Sequence, residues 1–256
     1  MITPIYLGTV LLEKNRWTAD KTPSFKVSEW SPRIAAAGFD GLELWENHIA
    51  AAAPAEQIAL RSVRPRVAIF NTYVTFDDAG AAGRERAARL ITDVRPDAVK
   101  FNFGNETSLV SRYVDNLRAW RARLPTGCRL LCECHGHTVL ETPARAAEIL
   151  RPLDFPVDII VHAFGIDENE LSAWCSFFGR SLTHIHAAWN VPGEGFKQLD
   201  GDAARNRARL EVLRTAGFTG TITVEFTAGV AQPDENIDRL LATATSDLLF
   251  LRHALA

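Results

Sequence analysis

Residues 38–45 read Gly38-Phe39-Asp40-Gly41-Leu42-Glu43-Leu44-Trp45, and residues 216–225 read Ala216-Gly217-Phe218-Thr219-Gly220-Thr221-Ile222-Thr223-Val224-Glu225. Each joins a Gly-Phe-x-Gly turn to a short apolar or β-branched run. Glycine tolerates the positive φ at which a helix ends, and the run that follows suits an extended strand. Both stretches therefore read as the passage from a helix into a strand.

Working outward from them, similar runs recur at residues 5–12, 67–76, 98–103, 129–134, 157–164 and 182–188, which with 41–45 and 221–226 makes eight. Between them lie segments of helical composition and spacing at 54–63, 83–94, 109–124, 143–150, 168–178 and 203–216. Strand followed by helix, repeated, means a parallel sheet. The runs begin about 30 residues apart, one βα unit each, and eight such units fill the chain. The expected fold is α/β, a single (β/α)8 barrel forming one domain over residues 1–256. A doubly wound sheet is the competitor, but Leu12-Glu13-Lys14-Asn15 stands where its glycine-rich phosphate turn would follow the first run.

Composition agrees. The chain has 256 residues, 47% of them hydrophobic and 23% charged, ordinary values for a folded body of barrel size. A net charge of −3 provides no basic field for a polyanion, which argues against a protein that grips nucleic acid. Four cysteines, three of them at Cys128, Cys132 and Cys134, form no disulfide framework, and reduced thiols are expected. Residues 1–13 are apolar but carry no basic leader or small-residue cleavage site, so they read as a first strand. With no apolar stretch of about 20 residues, no membrane span is expected and the cytoplasm is the expected location.

In such a barrel the active site sits where the strands end. The endings are polar: Glu46-Asn47-His48 after the second run, Lys100 to Asn105 around the end of the fourth, and Cys132-Glu133-Cys134-His135-Gly136-His137 at the fifth. His162 ends the sixth, His184-Ile185-His186 lies in the seventh, and Glu225 ends the eighth. Six of the seven histidines fall on these expected strand tops. Glu133, His135 and His137 are spaced by two, as are His184 and His186, so in extended chain each set points to one side. Burying Glu133 and Glu225 unpaired would cost several kcal/mol, which favours a ligand or catalytic role for both. Convergent carboxylates and imidazoles, with no Lys or Arg in the same motifs, suit a divalent metal. Carboxylate oxygens satisfy Mg²⁺ or Mn²⁺, and imidazole moves the preference toward Mn²⁺, Co²⁺, Fe²⁺ or Zn²⁺. Cys132 and Cys134 flank Glu133 and should face the helix layer instead.

Taken in order, residues 38–45, Glu133-Cys134-His135-Gly136, His184-Ile185-His186, Pro192-Gly193-Glu194-Gly195 and residues 216–225 resemble the xylose-isomerase-like barrel superfamily. That superfamily comprises sugar and sugar-phosphate isomerases and epimerases, with endonuclease IV and dehydroshikimate dehydratases as further branches. The resemblance implies one divalent metal, Mn²⁺ favoured, held by a Glu, an Asp, a His and a Glu from strands five to eight. Carried over, the ligands are Glu133, His186 and Glu225, with His162 where the aspartate would stand. That departure removes one negative charge. Gly165 takes the place of the histidine in the family's Asp-x-x-His, which disfavours the endonuclease branch.

The resemblance further implies a metal-dependent isomerase or epimerase of a sugar or sugar-like hydroxy-carbonyl compound, with Glu133 and Glu225 moving the proton. The alternatives are a dehydratase or lyase of the same superfamily, or a non-catalytic ligand-binding barrel with a degenerate metal site. His48, Glu46, Lys100, His135, His184 and Trp189 are the candidate substrate-binding residues, with Glu43 a further rim group and His184 also placed to orient a neighbouring ligand. Trp45, Tyr73, Phe101, Phe103, Phe164 and Trp189 either stack on substrate or pack beneath loops. Lys14, Arg16, Lys100 and Lys197 make no phosphate cradle, which favours an unphosphorylated small molecule. Residues 13–29 are long enough for a lid. Barrels of this kind often pair, which leaves a homodimer open.

Overall fold

The computed structural model describes residues 3–255; Met1 and Ile2, which open the apolar N-terminal stretch, and Ala256 lie outside the described residues. Eight parallel strands close into a barrel: β1 (Ile5–Gly8), β2 (Gly41–Trp45), β3 (Val67–Asn71), β4 (Ala98–Asn102), β5 (Arg129–Glu133), β6 (Asp158–Val161), β7 (Leu182–Ala187) and β8 (Thr221–Val224). Around them run α1 (Val27–Ala36), α2 (Asn47–Ala50), α3 (Pro54–Leu60), α4 (Ala81–Val94), α5 (Val110–Arg121), α6 (Pro143–Leu150), α7 (Glu168–Phe178), α8 (Ala203–Thr215) and α9 (Ile237–Leu255). The expected (β/α)8 barrel is the observed one. No helix among the described residues is long and apolar enough to cross a membrane.

The two turns that began the reading behave as their glycines require. Gly38 and Gly217 have φ of 97° and 74°, just past the ends of α1 and α8. Gly220 abuts the Thr183 carbonyl so closely that a Cβ would collide with it.

Several expected strands prove shorter. The run at 67–76 stops at Asn71, which is opposite Trp45 of β2 and Lys100 of β4; beyond it the ladder has no regular partner. The run at 5–12 ends at Gly8, and Thr9–Leu12 wind into a tight turn. Three helices are absent from the expected set: the single turn α2, and α1 and α9, which complete the ring. A short antiparallel hairpin, Trp189–Val191 against Gly195–Lys197, projects after β7.

Two apolar regions follow from the alternation of side chains along each strand. Outward residues such as Leu42, Phe70, Val99, Phe101, Ile159, Ile185 and Val224 join the helices in one extensive core, which also contains Cys132 and Cys134. All four thiols are free. A smaller cluster of Ala68, Ile69, Ala98, Leu131 and Ile160, with Tyr6 against it, is separate. Leu131 and Ile160 lie two residues before Glu133 and His162, so this cluster forms the floor beneath the polar end of the barrel.

Candidate metal centre

Glu133 is the last residue of β5, while His162 and Glu225 directly follow the last residues of β6 and β8; His186 lies one residue before the end of β7. Adjacent strands thus deliver four side chains to one place. Each offers a ligand atom, and these atoms all lie within 4.8 Å of one another. His162 Nε2 is 3.0 Å from Glu133 Oε1, and its Nδ1 is 3.6 Å from Glu225 Oε2. His186 Nδ1 is 2.9 Å from Glu133 Oε1 and 3.3 Å from Glu225 Oε2. Neither contact of His186 Nδ1 has hydrogen-bond geometry: it and Glu225 Oε2 are buried without a partner. Orphaned buried polar atoms are costly, and two of them facing each other among acceptors call for a cation.

Beneath this layer a second one holds it. Glu43 Oε2 accepts from His186 Nε2 at 3.1 Å, and Glu43 Oε1 accepts from Asn71 Nδ2 at 2.7 Å. His184 is bonded at Nδ1 to Thr221 Oγ1 (2.6 Å) and at Nε2 to Thr223 Oγ1 (3.0 Å), with Glu43 Oε2 3.5 Å from Nε2. Burial opposes ionisation of Glu43, but the charge of His186 and hydrogen bonds from both histidines hold its carboxyl well below the usual range. Burial likewise works against charge on His186, yet Glu225 and Glu43 outweigh it and raise the imidazole well above its ordinary value. His184 moves the other way, lowered chiefly by burial.

The motifs containing the ligands hold no lysine, but the fold supplies one from β4. Lys100 Nζ is 2.6 Å from Glu133 Oε2, with 1% of its side chain exposed. Asn102 Nδ2 donates to the same oxygen at 3.0 Å and also lies 2.8 Å from His135 Nε2. Burial again disfavours both charges, and their mutual attraction prevails: the Glu133 carboxyl is held well below, and the Lys100 ammonium above, its ordinary value. Tyr73, 46% exposed, lays its ring 4.5 Å from Lys100 Nζ.

Other candidates go elsewhere. His48 is buried in α2, bonded to Thr9 (2.9 Å) and Glu13 (3.1 Å), with both ring nitrogens in use. Glu46 is buried and accepts from Thr72. Trp189 stacks with the Arg205 guanidinium, 5.2 Å away. His137 falls off the expected alternation because β5 ends at Glu133; it is exposed in a loop with φ of 66°. Trp45, Phe101, Phe103 and Phe164 are buried packing residues. The expected lid at 13–29 is tied at its root: Glu13 accepts from the amides of Asn15 and Ser24, Arg16 donates to the Val10 and Leu11 carbonyls, and α1 begins at Val27.

Sequence reasoning missed Asn71 and Asn102, ordinary strand residues until the barrel closes. It also missed an aromatic wall beside Glu225, where Trp17 (58% exposed) lies 5.8 Å from Phe226, itself 4.9 Å from Phe196. A Phe directly after the terminal Glu225 was the available signal.

Two carboxylates and two imidazoles, a mixed oxygen and nitrogen donor set, fit a divalent cation, and the orphaned Nδ1 and Oε2 are the atoms it would satisfy. The arrangement can polarise a bound oxygen, carry a proton on a carboxylate, and set a fixed ammonium beside developing negative charge.

No family model and no curated protein sequence matches the chain. Solved structures do. Against a xylose isomerase-like TIM barrel/4-hydroxyphenylpyruvate dioxygenase fusion protein the TM-score is 0.72 at 19% identity, over 98% of this chain and 42% of that one, so the chain spans under half of that protein. The probable 3-DHS dehydratase AsbF of Bacillus anthracis is 14% identical at a TM-score of 0.70, over 94% of this chain and 97% of that one. A sugar phosphate isomerase/epimerase of Parabacteroides distasonis is 10% identical at 0.60, over 98% and 94%. The fold is that of the xylose-isomerase-like barrels.

Proposed function

We propose that this barrel is a metal-dependent isomerase or epimerase of an unphosphorylated sugar or sugar-like hydroxy-carbonyl compound. The observation that carries the reading is the pair of buried, unpartnered donor atoms on His186 and Glu225 inside the Glu133, His162, His186, Glu225 cluster. A divalent ion held by these four residues, Mn²⁺ favoured by the mixed donors and Mg²⁺, Co²⁺, Zn²⁺ or Fe²⁺ also compatible, would supply Lewis-acid polarisation of a carbonyl and its neighbouring hydroxyl.

The chain's own residues supply the rest. Glu133 and Glu225 enter from strands on either side of the β6–β7 pair, placed to remove a proton next to the carbonyl and to return one. Lys100 sets its charge beside Glu133, where an oxygen gaining negative charge is stabilised. His135 and Asn102 offer hydrogen bonds to substrate hydroxyls at the mouth. Tyr73 and the Trp17–Phe226 pair present aromatic faces to the apolar side of a sugar ring. His184, His48, Glu46 and Trp189 act as supports, held by partners within the protein. A carboxylate-lined mouth is repulsive to a phosphodiester backbone, which agrees with a small-molecule substrate.

The test is hydrogen exchange. Mn²⁺-loaded protein is incubated in D₂O with a panel of ketoses, aldoses and cyclic hydroxy-ketones, and the carbon next to the carbonyl is followed by ¹H NMR. Deuterium entering there, with an isomeric product, supports the reading. Loss of water to an unsaturated product assigns the dehydratase alternative instead. Failure to bind any divalent ion, with no exchange on any compound, overturns both and leaves a binding barrel.

A further inference from the structure

The geometry points to Glu43 as the positioning residue of this centre: its carboxylate takes the Nε2 proton of His186 in a hydrogen bond, so that Nδ1 is the nitrogen presented to the metal. The inference rests on the metal centre proposed above and goes beyond it, because Glu43 is not one of the four converging ligands and touches no substrate.

An ionised carboxylate only accepts hydrogen bonds, so the 3.1 Å contact between Glu43 Oε2 and His186 Nε2 places the hydrogen on Nε2. Without an ion the surrounding carboxylates favour the charged ring; an ion that takes the place of the Nδ1 proton would leave the hydrogen on Nε2 and meet the Nδ1 lone pair. That atom lacks a hydrogen-bond partner and faces the carboxylates of Glu133 and Glu225. Glu43 is itself pinned. Asn71 donates to Oε1 at 2.7 Å, and His184, clamped between Thr221 and Thr223, packs against Oε2 at 3.5 Å. The side chains of Glu43, His184 and His186 are all 0% exposed, so no bulk solvent competes with Glu43 for His186 Nε2.

Glu43, His184 and His186 also lie within ligand reach of one another. Their donor atoms, however, are already engaged with Asn71, Thr221, Thr223 and each other, whereas the upper cluster leaves two atoms unpaired. The trio is therefore the support of one site and not a second one. A carboxylate behind a ligating imidazole fixes ring orientation and raises the basicity of the far nitrogen, and losing it costs about 10- to 100-fold in metal affinity.

The experiment titrates the full-length protein with Co²⁺ and reads visible absorption. Glu43→Gln, which keeps an acceptor oxygen but no charge, should weaken Co²⁺ binding about tenfold; Glu43→Leu, which removes the acceptor, should approach 100-fold. A merely structural role is separated by a measurement that needs no variant: long-range ¹H–¹⁵N correlation spectra of the Zn²⁺-loaded wild type. His186 should show a protonated Nε2 and a metal-shifted Nδ1. A metal-shifted Nε2, or Co²⁺ affinity unchanged in both variants, overturns the role of Glu43 while leaving the metal centre standing. A wild type that binds neither ion overturns the metal centre and this inference with it.

Discussion

Lys100 Nζ stands 2.6 Å from Glu133 Oε2, both side chains buried, so β4 hands a cation to the same carboxylate that β5 hands to the donor cluster. Glu133 faces His162 and His186 through Oε1 and Lys100 and Asn102 through Oε2. One carboxylate thereby links the donor cluster to a fixed positive charge. Glu133, more than any other residue, couples stability to the chemistry proposed here.

Replacing Lys100 with Met leaves Glu133 buried without its ammonium partner. Breaking a buried pair from one side costs about 3–5 kcal/mol. Saturating Mn²⁺ should return part of that loss, because the ion compensates the same charge. Urea unfolding with and without Mn²⁺ measures this, and an equal loss in both conditions would show that Glu133 does not face the ion.

Glu225→Gln keeps the size of the side chain and removes its ability to carry a proton. Turnover should fall by about 10²- to 10⁴-fold with the circular dichroism spectrum unchanged. Undiminished turnover would remove Glu225 from the reaction.

His162→Asp supplies the carboxylate that the superfamily pattern has at this position. The harder oxygen donor should raise affinity for Mn²⁺ and Mg²⁺ relative to Zn²⁺ by roughly tenfold. Competition titration reads the ratio directly; the same ratio in both proteins would mean that His162 lies outside the coordination sphere.

Asp247 of α9 accepts from the Leu199 amide at 2.7 Å and from Thr227 Oγ1 at 2.5 Å, joining the C-terminal helix to the segments after β7 and β8. Burial raises its carboxyl to about 7 despite these bonds. The folded protein then holds a proton that the unfolded chain has released above its ordinary value of 3.8, so stability falls as pH rises from about 4 to about 7 and is level beyond. Asp247→Asn keeps an acceptor for Leu199 and should flatten that decline, with a gain on the order of a few kcal/mol at about pH 8. Urea midpoints across the range decide it: a wild-type profile that rises over the same interval contradicts the assignment.

The residues whose positions were legible share one property: short-range pattern suffices to place them. Glu133 and Glu225 end or follow strands that turn glycines and apolar or β-branched runs announce, and His186 sits two residues from His184 on the same face. His137 fails by the same rule. The spacing of two carries meaning only while the strand continues, and β5 stops at Glu133, the last residue that both Asn102 of β4 and Ile160 of β6 pair with.

Glu43 shows the other limit. The turn at 38–41 announces β2, but a register shift between Leu42 and Glu43 against β3 intervenes in the pairing. With Asn71 directly opposite Trp45, and His186 three strands away around the closed barrel, the carboxylate ends beneath the donor cluster instead of on the rim.

Strand order, helix alternation and the identity of the polar strand ends are local matters, written into turn residues and the two-residue alternation of side chains, so the chain alone reveals them. Which ends face one another is a matter of closure. Only when eight strands wrap with one stagger does Lys100 come within hydrogen-bonding distance of Glu133, and Glu43, itself held by Asn71, within that distance of His186. Alternation chooses the side of a strand; the shear of the closed barrel sets the height and the neighbour.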